Sequence, residues 1–98
     1  MKQFIGKQVI VRADRAGVFF GTLKEFDYGN NNVIMTNCRK IYNWEKAYAV
    51  EQIANDGVGT NSKLTVIVEE LGIMNAVQIL PCTEKAIKNL SEISVWKH

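Results

Sequence analysis

Three runs rich in β-branched and aromatic residues follow one another with little between them. They are "KQVIVRA" (7–13), "GVFFGTLKEFD" (17–27) and "NVIMTNCRKIYN" (32–43), separated by "DRAG" and "DYGNNN". Such runs favour strands, and connections this short join only antiparallel neighbours. The first 43 residues are therefore an antiparallel meander. Strand alternation puts Val9 and Val11 on one face and Ile10 and Arg12 on the other. In the second run Val18, Phe20 and Thr22 share a face, and Phe19, Gly21 and Leu23 share the opposite one. Gly21 inside a strand marks a bulge, a sharp bend or a close backbone approach. "DYGNNN" is rich in residues that tolerate positive φ.

After residue 43 the period changes. In "WEKAYAVEQIANDG" (44–57), Ala47, Val50 and Ala54 recur at helical spacing, flanked by Tyr48 and Ile53. Asn43 suits the N-cap and Gly57 the C-terminal stop. "GVGTNS" reads as a loop. "KLTVIV" (63–68) and "GIMNAVQIL" (72–80) read as strands joined by "EELG", with Pro81 ending the second. Asn75 falls inside the latter as a solvent-facing strand residue. Thr83 suits the cap of a short helix, "EKAIKNLSEI" (84–93), with Ala86, Ile87, Leu90 and Ile93 on its buried side. "SVWK" either closes as an edge strand or docks through Trp96. The expected fold is α+β. It is a small, strongly bent antiparallel sheet or partly open β-barrel of five to six strands, with a central helix and a short C-terminal helix.

Ninety-eight residues make a single domain, and a chain of this size gains stability by oligomerising. The net charge of +2, with no long basic run, excludes a charged coat for non-specific nucleic-acid binding but leaves room for a local basic site. Cys38 and Cys82 lack metal-ligand spacing, and the one histidine, His98, is the last residue. Buried reduced thiols fit an intracellular protein, and no apolar stretch is long enough for a signal peptide or a membrane span. The expected location is the cytoplasm, with no membrane partner.

No nucleophile motif, phosphate loop or metalloprotease motif is present, and Glu69–Glu70 reads as a solvated turn. A non-enzymatic protein without a cofactor is the expectation. The positive signal is a rim. In a meander, the ends of strands one and three lie beside the start of strand two. That end carries Arg12, Arg15, Gly17, Phe19, Arg39, Lys40, Tyr42 and Trp44, with Asn37 either reaching the rim or capping a bulge. Guanidinium groups pair bidentately with phosphate, aromatic rings stack on bases, and Gly17 allows close approach of peptide N–H groups. Against this stand plainer roles. Tyr42 and Trp44 suit the lid of a small core, and Arg12 suits an ion pair with Asp14 or Glu25. At least one of Phe19 and Phe20 must be core, since they point to opposite faces.

Two resemblances arise at these residues. "IGKQVIVR", "AGVFFGTL", "TNCRKIYNW", "ILPCTEKA" and "SVWKH" resemble the pattern of a family of small uncharacterised proteins encoded mainly by bacteriophages and prophages. That resemblance implies a phage setting and carries no chemistry. "VFFGTLKEFDYGNNNVIM" is similar to the first signature of Sm-like barrels, through Gly21-x-Leu23, Asp27 and Asn31. In that family the Asp and Asn hold the turn and the Asn meets RNA bases. The second signature, Ile-Arg-Gly, and the N-terminal helix of that family are absent. A phage setting and the basic-aromatic rim together imply a homo-oligomeric binding protein that counters host defence, holding a nucleotide-derived signal at a subunit interface. The alternatives are an Sm-like RNA-binding protein and an inhibitor of a host defence protein.

Overall fold

A computed structural model describes residues 2–47 and 49–96 of the chain. Tyr48, Lys97 and His98, each given a place by the sequence reading, lie outside the described residues. The chain runs through β1 (Gln8–Ala13), β2 (Gly17–Asp27), β3 (Asn32–Asn43), α1 (Val50–Asp56), β4 (Lys63–Leu64), β5 (Val68–Ile73), β6 (Ala76–Pro81) and α2 (Glu84–Glu92). The antiparallel sheet has the order β4–β3–β2–β1–β6, and β5 also pairs with β3. Two strands can share one neighbour because β3 is long and bent. β5 runs along Val33–Cys38, and β4 pairs at Ile41–Asn43.

The bend has a local cause. The β2–β3 register slips between Phe20 and Thr22, opposite Asn37, which has a φ of 49°. A Cβ at Gly21 would lie 2.9 Å from Cys38 Cα and 3.0 Å from the Thr36 carbonyl oxygen. Only glycine lets the two strands approach this closely.

Bending gives the sheet two buried faces. Val9, Val11, Phe19, Leu23, Met35 and Ile73 fill the barrel interior. Ile10, Val18, Phe20 and Ile41 face outward, where Ile53 of α1 and Ala86 and Leu90 of α2 cover them. Each such side chain stabilises by roughly 1.5–3 kcal/mol. Both Phe19 and Phe20 are therefore core, one in each layer, so neither is left facing bulk solvent.

Four element readings are corrected. "KLTVIV" is not one strand: β4 ends at Leu64, and Val68 already begins β5. The central helix starts at Val50, not Trp44, because Asn43 still belongs to β3 and Ala49 is the N-cap. "GIMNAVQIL" is not one strand: Asn75, at φ 59°, turns the chain between β5 and β6. "EELG" is inside β5 rather than a turn, and Glu70 Oε2 accepts from Lys24 Nζ at 3.1 Å. α2 forms as its sequence indicates, with the Thr83 hydroxyl accepting from the Ala86 amide at 3.1 Å. Beyond it Val95 bridges Leu64 in parallel, which docks Trp96 beside β4.

Candidate nucleic-acid interface

Three turns meet at one end of the barrel. The β2–β3 turn is ordered by Asp27. Its Oδ1 accepts from the Gly29 amide at 2.9 Å and its Oδ2 from Asn30 Nδ2 at 3.0 Å. The Asn30 side chain first, and the Gly29 amide second, hold the Asp27 carboxyl below its usual range. The Asn31 amide then donates to the Asp27 carbonyl at 2.8 Å, with Asn31 at a left-handed φ of 56°. The β5–β6 turn locks onto this one. The Ala76 amide donates to the Asn31 carbonyl at 2.8 Å, and the Asn75 amide to Asn32 Oδ1 at 3.3 Å. The β1–β2 turn joins through the Asp14 amide, which donates to the Asn75 carbonyl at 2.9 Å.

Backbone groups are consumed in holding the turns, which leaves side chains pointing out. Asn30, Asn31, Tyr28, Arg15, Asn75 and Met74 are exposed. Two open pockets flank the junction. One, of about 330 Å³, is lined by Arg15, Phe19, Ile73, Met74 and Asn75. The other, of about 300 Å³, is lined by Phe26, Asn31, Ala76 and Gln78. Each combines apolar walls with a few amide or guanidinium groups, the composition of a small-ligand or base pocket.

The structure divides the predicted rim. Arg15, Phe19, Lys40 and Tyr42 lie toward the barrel mouth. Phe19 is 7% exposed and serves as pocket floor. Lys40 Nζ stands 6.0 Å from the Phe19 ring centroid. Gly17, at φ 110°, makes room for the Lys40 stem, which a Cβ there would approach to 3.1 Å. The Ala16 amide, expected to face a ligand, donates to the Asp14 carbonyl instead.

Arg12, Arg39 and Trp44 lie on the opposite, helix-covered face. Arg39 is 2% exposed, and its guanidinium points into the fold rather than to the mouth. Its Nε donates to the Thr65 carbonyl at 2.8 Å, and its Nη1 to the carbonyls of Leu90 and Ile93 at 3.0 and 2.7 Å. It ties the C-terminal end of α2, where the helix dipole favours a cation, to the sheet. Burial disfavours its charged form. Arg12 pairs in register with Gln78 and helps, after the Gln78 hydrogen bond, to keep the Glu51 carboxyl low. Its charge acts on α1 rather than on Asp14 or Glu25. Trp44 packs against the outer core, the lid role, whereas Tyr42 is 58% exposed. Asn37 sits in the bulge with its side chain exposed. Burial pushes the thiols of Cys38 and Cys82 up to about 12.

Asn75 and Met74 escaped the sequence reading. The signal was present: an asparagine interrupting a largely apolar stretch fits a left-handed turn as well as a strand. Among the described residues no group of three or more His, Cys, Asp or Glu side chains is gathered for a metal ion, and no helix is long and apolar enough to cross a membrane.

Residues 6–90 match the sequence profile of a domain of unknown function, DUF6948. The chain belongs to the DUF6948 family. None of the curated proteins matches it. Among solved structures, this DUF6948 chain is similar to a heptameric archaeal Sm protein, with a TM-score of 0.53 and 22% identity over 84% of this chain and 94% of that one. The likeness shows the fold: the DUF6948 domain is an Sm-like open barrel, extended by a helix between β3 and β4 and another after β6.

Proposed function

We propose that this protein binds single-stranded RNA as a homo-oligomer, with bases held at the junction of the three turns. The observation that carries the proposal is the Asp27-ordered turn, which fixes Asn31 in a left-handed conformation against the β5–β6 turn, between two pockets. Asn31 and Asn75 offer both donors and acceptors to base edges, and Arg15 offers a charge to phosphate. The similarity to an Sm protein supports this reading.

Free strand edges support the oligomer. Among the described residues β5 pairs with β3 alone and β6 with β1 alone, so each has an open edge. Exposed Val68 lies on β5 and exposed Val77 on β6, and exposed Val66 and Ile67 lead into β5. Two different edges form a head-to-tail contact, which closes into a ring or runs on as a filament. The solved Sm neighbour is heptameric, which favours closure.

A labelled oligouridine, titrated with protein and followed by fluorescence anisotropy, tests the reading. We expect binding that weakens steeply with salt and falls about ten-fold in Asn31→Gly, which keeps the turn but loses the side chain. Failure of the wild-type protein to bind any oligoribonucleotide overturns it. The pocket holding Arg15 and Phe19 also suits a single nucleotide, which supports a second reading, capture of a nucleotide-derived host signal in a phage setting. Heat release of an intact nucleotide from protein incubated with defence-active lysate, identified by mass spectrometry, would favour that one.

A further inference from the structure

Away from the three turns, the far end of β3 carries a second group of aromatic and basic side chains. Tyr42 and Trp96 stack with centroids 5.2 Å apart and planes at 10°. Lys63 Nζ lies 4.9 Å from the Trp96 centroid. The group is assembled from three distant parts of the chain: β3, β4 and the segment after α2. The parallel bridge between Leu64 and Val95, and the Trp96 amide donating to the Leu64 carbonyl at 3.0 Å, hold it together.

Docking the C-terminal segment explains Trp96 but not Tyr42. A ring that served only as packing would be covered, yet Tyr42 remains 58% exposed. Its position is also directional. Lys40 and Tyr42 are two residues apart on β3 and share a face. Lys40 leans over Phe19, the floor of the mouth pocket. Two strand residues span about 7 Å, so the stack stands one short step beyond the mouth. Arg15, Lys40 and Lys63 accompany that path as cations. Aromatic faces flanked by cations suit unpaired bases joined by phosphates, because every base has a π-face and every linkage a negative charge.

We infer that the Tyr42–Trp96 pair, with Lys63, is a second base-stacking site for the same RNA strand that enters the three-turn junction. The inference rests on the RNA reading above. It assigns the strand a course from the junction, past Lys40, to the stack.

Trp96 supplies the probe. The chain has two tryptophans, so Trp44→Phe leaves Trp96 as the reporter. Oligouridines of increasing length are added to Trp44→Phe protein, and anisotropy is measured in parallel on the full chain and on Tyr42→Ala and Tyr42→Phe. We expect Trp96 emission to be quenched only by oligomers longer than those that saturate the junction. Tyr42→Ala should bind the long oligomers about ten-fold more weakly and the short ones as wild type does. Tyr42→Phe should bind both normally and melt as the wild-type protein does, because it keeps the stack on Trp96. Normal binding of long oligomers by Tyr42→Ala, with Trp96 emission unaffected, overturns the inference and leaves the junction reading standing. A wild-type protein that binds no oligomer overturns both.

Discussion

Arg39 and Lys40 are consecutive residues of β3, and they belong to different halves of the molecule. The Arg39 guanidinium is sealed against the C-terminal end of α2, where it donates to the carbonyls of Thr65, Leu90 and Ile93. The Lys40 ammonium stands at the barrel mouth over Phe19. One face of the sheet is closed by helices and uses its cation to hold the fold together. The other end is open and keeps its cations, amides and the rings of Tyr28 and Tyr42 available. Strand alternation alone separates the two roles, so charge in a sequence says little about function until the face is known.

The widest gap between the halves is expected at these two positions. Arg39→Ala leaves a cavity and three carbonyls, two of them in buried hydrogen bonds, without their donor, a loss of roughly 3 kcal/mol or more. Lys40→Ala should stay within about 0.5 kcal/mol of wild type. Urea denaturation measures both, and equal midpoints would dissolve the distinction. Gly21→Ala probes the bend that creates the two faces. Its Cβ meets the Cys38 backbone, and thermal melts should show a loss of about 1–3 kcal/mol. At the open end stability and binding should separate. Asn31→Ala places an ordinary residue at φ 56° and should cost about 1 kcal/mol, while Asn31→Gly should cost less, and both should lose RNA affinity. If only the destabilised variant loses affinity, Asn31 acts through the turn alone.

The smallest effect is a pH dependence. The folded-state pKa of Asp27 lies below the ordinary 3.8, so its ionised form is favoured by folding. That contribution is complete above the unfolded value and disappears as pH falls through the lower folded one. Asp27→Ala should therefore flatten the acid limb of the stability curve below about pH 4 and leave its slope near neutrality unchanged.

Much of this was legible in the residues. The facing of Val9 to Arg12 and of Val18 to Leu23 follows from alternation, and the role of Gly21 follows from its missing side chain. The capped helix at Thr83 could be located for the same kind of local reason. What could not be read was which side of each strand stays open. The rim grouped Arg12, Arg39 and Trp44 with Arg15, Lys40 and Tyr42 because they share one end of the sheet, but α1 and α2 return from later in the chain to cover only one face. The run "VFF" signals burial on both sides, since a continuous apolar strand has no solvent face to spare. The β5–β6 turn was hidden by strand propensity on both sides of Asn75, and only barrel closure decides it. The Tyr42–Trp96 contact spans more than fifty positions and leaves no local trace.

The most direct test of the open-end account is ultraviolet crosslinking of a bound oligouridine, with the crosslinked peptides identified by mass spectrometry. The account predicts adducts in peptides carrying Tyr28–Asn31 and Met74–Asn75, with longer oligomers adding the peptide of Tyr42. Adducts concentrated on α1 or α2, or around Trp44, would contradict it and make the helix-covered face the binding surface.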